Sequence, residues 1–127
     1  MDYEASRKYL LAKPKTIEDY PFGPDVAVYK VMGKMFATLA LGKNKTKDGE
    51  IKHWWMNLKC DPAEASMLRD IFPAIIPGYH MNKAHWNTVI LDGSIPKGEI
   101  ERMIDNSFML VVSKMTKKDQ AVLALSQ

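Results

Sequence analysis

Residues 78–86 hold the side chains best suited to contact a ligand. Five of them supply hydrogen-bond donors, positive charge and an aromatic plane: His80, Asn82, Lys83, His85 and Trp86. This mixture suits contacts to the backbone and bases of a nucleic acid. The alternative is a structural loop, in which Trp86 is a buried anchor and Gly78 supplies an unusual backbone angle. Because no catalytic motif matches the segment, it predicts a binding surface and not a reaction.

Three lysines that alternate with polar residues form a second candidate site. Lys43, Lys45 and Lys47 are separated by Asn44 and Thr46 in a polar stretch, and we expect this stretch to be the tip of a hairpin. Ammonium groups on such a tip, or wing, can meet phosphates, while the Asn and Thr side chains add hydrogen bonds. The alternative is a solvated loop that holds no ligand.

A third candidate is one face of a predicted strand. The adjacent Trp54 and Trp55 must point to opposite faces. Trp54 alternates with the apolar residues of the strand, so we expect it in the core. The other face carries His53, Trp55, Asn57 and Lys59. It would be an interaction face for a protein partner if it were left open. The alternative is that the sheet curls or dimerises to cover it.

Metal, cofactor and catalytic sites are not expected. His80 and His85 are five residues apart on a predicted loop, which is not a usual spacing for zinc ligands. The serines lack the context of a nucleophile elbow, and the chain has neither a phosphate-binding glycine loop nor a dinucleotide fingerprint. We therefore expect a protein that is not an enzyme.

Composition predicts one globular domain over residues 1–127. Cys60 is the single cysteine, so no internal disulfide can form, which suits a reducing compartment. The chain has no apolar run near the roughly 20 residues that a membrane span needs, and its N-terminus does not resemble a signal peptide. We expect a cytoplasmic protein that does not contact membranes, with a monomer favoured.

Positive charge is concentrated in one part of the chain. The net charge is only +3, yet residues 30–59 hold seven lysines and two acidic residues, which leaves this span at +5. Such asymmetry favours a surface that faces a polyanion. A lysine-rich sheet edge that resists strand addition is the alternative.

Periodicity and capping residues predict the elements that position these sites. Asp2, Asp61 and Thr116 are candidate helix caps, and Glu64 is placed to close a capping box. On the strand at 34–41 we expect Met35, Ala37, Leu39 and Leu41 on one face, and Phe36, Thr38 and Ala40 on the other. The predicted order is a helix at 3–12, a loop at 15–25, strands at 26–32, 34–41 and 51–59, a helix from 61 to 72, a strand at 86–91, a helix at 97–114 and a last helix. Hairpin-connected strands with helices on one face give an α+β sandwich.

Several segments together carry a family resemblance. They lie at 10–14, 22–31, 33–37, 58–62, 77–86 and 92–94. As a set they resemble the pattern of the MmcQ/YjbR-like family, whose fold is similar to that of CyaY and frataxin. The resemblance implies a two-layer sandwich with an antiparallel sheet, and DNA binding of a double-wing type. Frataxins have an acidic ridge on their first helix, whereas Glu4 here is offset by Arg7 and Lys8, so an iron-chaperone role is not supported.

The sequence thus favours weak DNA binding of low sequence selectivity, through the lysine wing and the loop at 78–86. A protein-interaction module that uses the face around Trp55 is one alternative. A small-ligand binder at the loop is another.

Overall fold

The computed structural model describes residues 1–42 and 53–125. Its helices are α1 (Tyr3–Leu11), α2 (Pro62–Ile71), α3 (Lys97–Val112) and α4 (Lys117–Leu125). Its strands are β1 (Thr16–Asp19), β2 (Val26–Val31), β3 (Lys34–Leu41), β4 (Trp54–Lys59), β5 (Ile75–Pro77) and β6 (Trp86–Ile90). None of the helices in these two ranges is both long and apolar enough to cross a membrane.

The strands form a single antiparallel sheet in the order β1-β2-β3-β4-β6-β5. Buried residues of all four helices join one hydrophobic cluster with one face of this sheet; they include Leu10, Leu68, Ile104 and Leu123. The helices therefore cover one face, and the predicted α+β arrangement is confirmed.

Two edge strands were not predicted. β1 lies inside the stretch 15–25 that was expected to be a loop, and β5 follows α2 after Pro73. Each has four residues or fewer, which is too short to show a clear alternation. Tertiary contacts, and not a sequence pattern, identify β1: the Glu18 carboxylate accepts hydrogen bonds from Arg7 on α1 and from Tyr29 on β2.

The predicted helix caps form. The carboxylates of Asp2 and Asp61 accept backbone N–H groups in the first turns of α1 and α2, and the Thr116 hydroxyl accepts from Asp119 at the start of α4. The predicted capping box is wrong, because the Glu64 carboxylate accepts instead from Arg102 and from an α3 asparagine.

A β-bulge corrects the predicted faces of β3. Tyr29 pairs with Ala37 but Lys30 pairs with Met35, so Phe36 is an extra residue on β3. The ring of Phe36 consequently turns into the core, where it meets Phe108 edge-to-face with centroids 5.2 Å apart. Met35 turns to the opposite face, away from the helices.

Helix α3 packs along the middle of the sheet through a buried apolar stripe that includes Ile100, Ile104 and Phe108. The hydroxyl of Ser107, fully buried in this stripe, donates to the Phe36 carbonyl and accepts from the Lys59 N–H, at 2.5 and 2.9 Å. These two bonds connect α3 to β3 and β4, so the helix fixes the strands that carry the candidate site on their other face.

Candidate functional site

The sheet face that points away from the helices, the open face, gathers residues from the central strands. In β4 it carries Trp55, Asn57 and Lys59, while Trp54, Met56 and Leu58 point to the core. Across the ladder, Lys59 lies opposite Trp86, and Asn57 lies opposite Thr88. The predicted separation of the two adjacent tryptophans is therefore correct.

A ring of hydrogen bonds holds residues 78–86 (the 78–86 loop) against the open face. The Tyr79 N–H donates to the Thr88 hydroxyl at 2.8 Å, and this hydroxyl donates to the side-chain carbonyl of Asn57. The Asn57 amide then donates back to the Tyr79 carbonyl at 3.4 Å. Both the backbone N–H and the backbone carbonyl of Tyr79 are therefore hydrogen-bonded to side chains of the sheet.

Close packing explains the glycine at the start of this loop. A Cβ atom on Gly78 would lie 2.7 Å from the Cβ and 2.9 Å from the carbonyl oxygen of Trp86. The Gly78 N–H also donates to that carbonyl at 2.9 Å. Gly78 is therefore required for a close approach of two backbones. The positive φ in the loop belongs to His80 instead, at 59°.

Several predicted contact residues also have structural roles in the loop. The Lys83 ammonium donates to the Gly78 carbonyl at 3.1 Å. The Asn82 side chain accepts from the Ala84 N–H at 3.0 Å, and the His85 carbonyl accepts from Cys60 at 2.8 Å. Arg69 of α2 reaches the Lys83 carbonyl at 3.3 Å. The loop therefore presents its exposed side chains from a defined backbone.

A cavity of about 450 Å³ lies on the open face, between the 78–86 loop and the loop that joins β1 to β2. Its lining is mostly apolar and aromatic: Phe22, Val26, Met35, Ala40, Leu41, Trp55, Tyr79 and Met81. Its polar lining consists of Asp25, Thr38, Asn57 and His80. Both the size and this mixture are typical of a small-molecule site.

Two aromatic rings form a corner of this cavity. The rings of Trp55 and Tyr79 are 5.4 Å apart at 84°, and the Tyr79 and His80 rings lie 4.1 Å apart. The Trp55 indole packs against Gly42, where a Cβ atom would come within 2.2 Å of its ring nitrogen. The positions of the two rings are therefore fixed, Trp55 by packing against the Gly42 backbone and Tyr79 by the hydrogen bonds to its own backbone.

The structure brings together some of the predicted site residues and not others. Trp55 and His80 line the same cavity, and Lys59 lies opposite Trp86. His53 precedes β4, and its carbonyl accepts from Gly42 at 2.7 Å. The lysines of the predicted wing lie outside the described residues; they are Lys43, Lys45 and Lys47.

Of the cavity lining, sequence reasoning named only Trp55, Asn57 and His80 in its candidate sites; the residues that it missed include Phe22, Asp25, Thr38 and Tyr79. Phe22 and Asp25 belong to the β1–β2 loop, whose Phe-Gly-Pro-Asp sequence was noted only for the family resemblance. Phe22 is 72% exposed, and among the described large apolar side chains only Leu125 is more exposed. An aromatic residue within a predicted turn was the one signal in the sequence, but its distance from Trp55 along the chain gave no sign that both residues line one cavity.

The single cysteine, Cys60, is buried and poorly suited to act as a nucleophile. Burial raises the pKa of the Cys60 thiol to about 11, and the nearby Glu64 and Asp61 add to this shift. The thiol is therefore protonated at neutral pH and is a poor nucleophile. Within residues 1–42 and 53–125, no three His, Cys, Asp or Glu side chains are grouped to hold a metal ion.

Similar proteins share most of the length of this chain. The Escherichia coli O157:H7 protein YbdF is 33% identical over 118 residues, covering 93% of this chain and 90% of YbdF. The YjbR protein of Escherichia coli K12 is 29% identical over 116 residues, covering 91% and 92%.

Solved structures and a family model agree with these relatives. The Deinococcus radiodurans protein DR2400, described as having a DUF419 domain, superposes with a TM-score of 0.81 at 32% identity, covering 97% of this chain and 88% of its own. A Pseudomonas syringae protein gives a TM-score of 0.76 at 34% identity, covering 87% and 98%. The YjbR family model matches residues 11–110. With most of its length matched in this way, the chain belongs to the YjbR family.

Proposed function

We propose that this protein binds duplex DNA weakly and with little sequence selectivity, through the open face and the 78–86 loop, and performs no chemistry. One observation carries the proposal. Strands β2 to β6 and the 78–86 loop contain lysines and histidines but no aspartate or glutamate. All fifteen acidic residues of the chain belong to other segments.

The acid-free strands place basic groups where a duplex could reach them. Lys59 lies on the open face, and Lys83 is exposed on the adjacent loop. The Lys83 ammonium has three donors and uses one of them on Gly78, so two are left for phosphate oxygens. His80 and His85, both exposed on the same loop, add further hydrogen-bonding groups.

Such contacts position a duplex without reading its sequence. Lysine ammonium groups neutralise phosphates and release counterions, which gives binding that weakens as salt rises. Phosphate contacts carry no sequence information directly, which supports low selectivity. The predicted wing lysines would extend this surface, and their contribution is proposed from sequence alone.

The test is a fluorescence titration with unrelated duplexes at several salt concentrations. Each lost phosphate contact lowers the magnitude of the slope of log affinity against log salt by ~0.9. We therefore expect the double variant Lys59→Ala/Lys83→Ala to lower it by about 1.8. Changing Lys43, Lys45 and Lys47 to alanine should lower it by about 2–3, with little change in folding stability.

A matched control removes the same charge elsewhere. Lys117 and Lys118 are exposed on α4, which packs on the other face of the sheet, so Lys117→Ala/Lys118→Ala should leave the slope unchanged. Thermal melts of each variant separate lost contacts from lost folding. If the native protein shows no salt-sensitive binding at low salt, DNA binding is rejected. The protein-interaction alternative around Trp55 would then take its place.

A further inference from the structure

We propose that the 450 Å³ cavity on the open face binds a small organic cation, a substituted ammonium with an apolar body. This site is proposed independently of DNA binding: its ligand and its charge preference differ, and His80 is the one residue named for both. Three features of the cavity carry the inference: its aromatic corner, its carboxylate and its adaptable apolar floor.

The aromatic corner offers ring faces to a cation. Trp55 and Tyr79 both line the cavity and meet edge-to-face at 84°, so their rings form adjoining walls of one corner. Phe22 adds a third ring to the lining, and its exposure leaves that ring available. The face of an aromatic ring carries partial negative charge, and sets of such rings recognise quaternary ammonium groups.

A single carboxylate sets the sign of charge within the lining. Asp25 lines the cavity and takes part in none of the ion pairs between described residues. Among the described lining residues there is no lysine or arginine. Lys30, a strand lysine on this face, is paired with Asp19 at 3.0 Å. The lining thus favours a positive ligand, although strands β2 to β6 carry lysines and no acidic residue.

The floor of the cavity is apolar and adaptable, with one free hydroxyl. Met35 and Met81 can adjust to the shape of a ligand, because methionine side chains are flexible and polarisable. Thr38 is only 6% exposed, and its hydroxyl bonds to no group in the described part of the chain. An apolar body would contact the methionines, and a polar substituent would reach Thr38.

The experiment uses choline, its uncharged isostere 3,3-dimethylbutan-1-ol, and the larger cation benzyltrimethylammonium. Binding to the full chain is followed by NMR, through the Trp55 indole and the backbone amides of Tyr79 and His80. We expect saturable shifts at these positions with both cations, tighter binding of benzyltrimethylammonium, and at least tenfold weaker binding of the isostere.

Variants separate the role of charge from that of folding. Asp25→Asn should weaken benzyltrimethylammonium binding about tenfold, while Asp70→Asn, which changes an exposed carboxylate on α2, should not. Phe22→Ala should weaken it about two- to fivefold, and its exposed position keeps folding intact. Equal binding of choline and its isostere, an unchanged affinity in Asp25→Asn, or no saturable shift in the millimolar range would each overturn the proposal. None of these results bears on duplex binding.

Discussion

The two faces of this sheet are built from the same strands but follow different rules. On the helix-covered face, β2, β3 and β4 place fully buried apolar side chains such as Tyr29, Phe36 and Met56. On the open face, the same strands place Met35, Trp55 and Asn57 around a cavity. One face is filled by helices that the chain itself supplies, and the other is shaped by two loops. The covered face thus holds the buried core, while the open face carries the cavity.

The bulge in β3 gives the largest test of this comparison. Phe36→Ala should lower the free energy of unfolding by ~3–5 kcal/mol, because it removes a fully buried ring that packs on Phe108. Met35→Ala, one position earlier on the open face, should cost clearly less. Denaturant melts of both variants decide the matter, and a larger loss for Met35→Ala would place the bulge elsewhere.

The two adjacent tryptophans sharpen the comparison within one strand. Trp54 stacks on Tyr3 of α1 with centroids 4.2 Å apart and packs against the core. We expect Trp54→Ala to cost about 3 kcal/mol, near the low end for aromatic truncation because the ring is only partly buried. Trp55→Ala should cost less and should affect ligand binding more. Equal losses of stability in urea melts would mean that both faces are equally packed.

Gly78 tests whether the loop over the open face is rigid. Gly78→Ala forces a Cβ atom against Trp86, and such overpacking costs about 1–3 kcal/mol. Gly98 in α3 is the matched control: a Cβ atom there meets nothing within 4 Å, so Gly98→Ala should stabilise by up to ~1 kcal/mol. Hydrogen exchange at the Tyr79 amide should speed up only in Gly78→Ala. Unchanged protection there would show that the loop tolerates the extra methyl.

Acid should weaken the β1 edge of the covered face. The hydrogen bond from Arg7 lowers the pKa of Glu18 below its usual 4.5; burial opposes this, and bonds from Tyr29 and Tyr20 add to it. A lowered pKa means that the stabilisation is complete above pH 4.5 and is lost as the pH falls through the folded value. Glu18→Gln should therefore be less stable at pH 7, and its deficit should shrink towards pH 3. Urea melts between pH 3 and pH 7 measure this, and a constant deficit would contradict the role of the charge.

Much of the fold was predictable because it depends on local chemistry. The caps at Asp2, Asp61 and Thr116, the stripe of α3 and the alternation of β4 are all read from residues a few positions apart. The same alternation separated Trp54 from Trp55 and so located the open face. Each of these features results from contacts within a single element or from its periodicity.

The tertiary structure alone decided the remainder. The Glu64 carboxylate accepts a hydrogen bond from Arg102 instead of capping its own helix. Strand β1 is held in the sheet by the hydrogen bonds that Arg7 and Tyr29 donate to Glu18. The cavity likewise joins residues from the β1–β2 loop, β3, β4 and the 78–86 loop, which are far apart in the chain. Periodicity along one strand specifies which way a side chain points, but the spacing between two loops depends on the register of the strands beneath them. The sequence alone therefore located a face, whereas the folded sheet was needed to show the site.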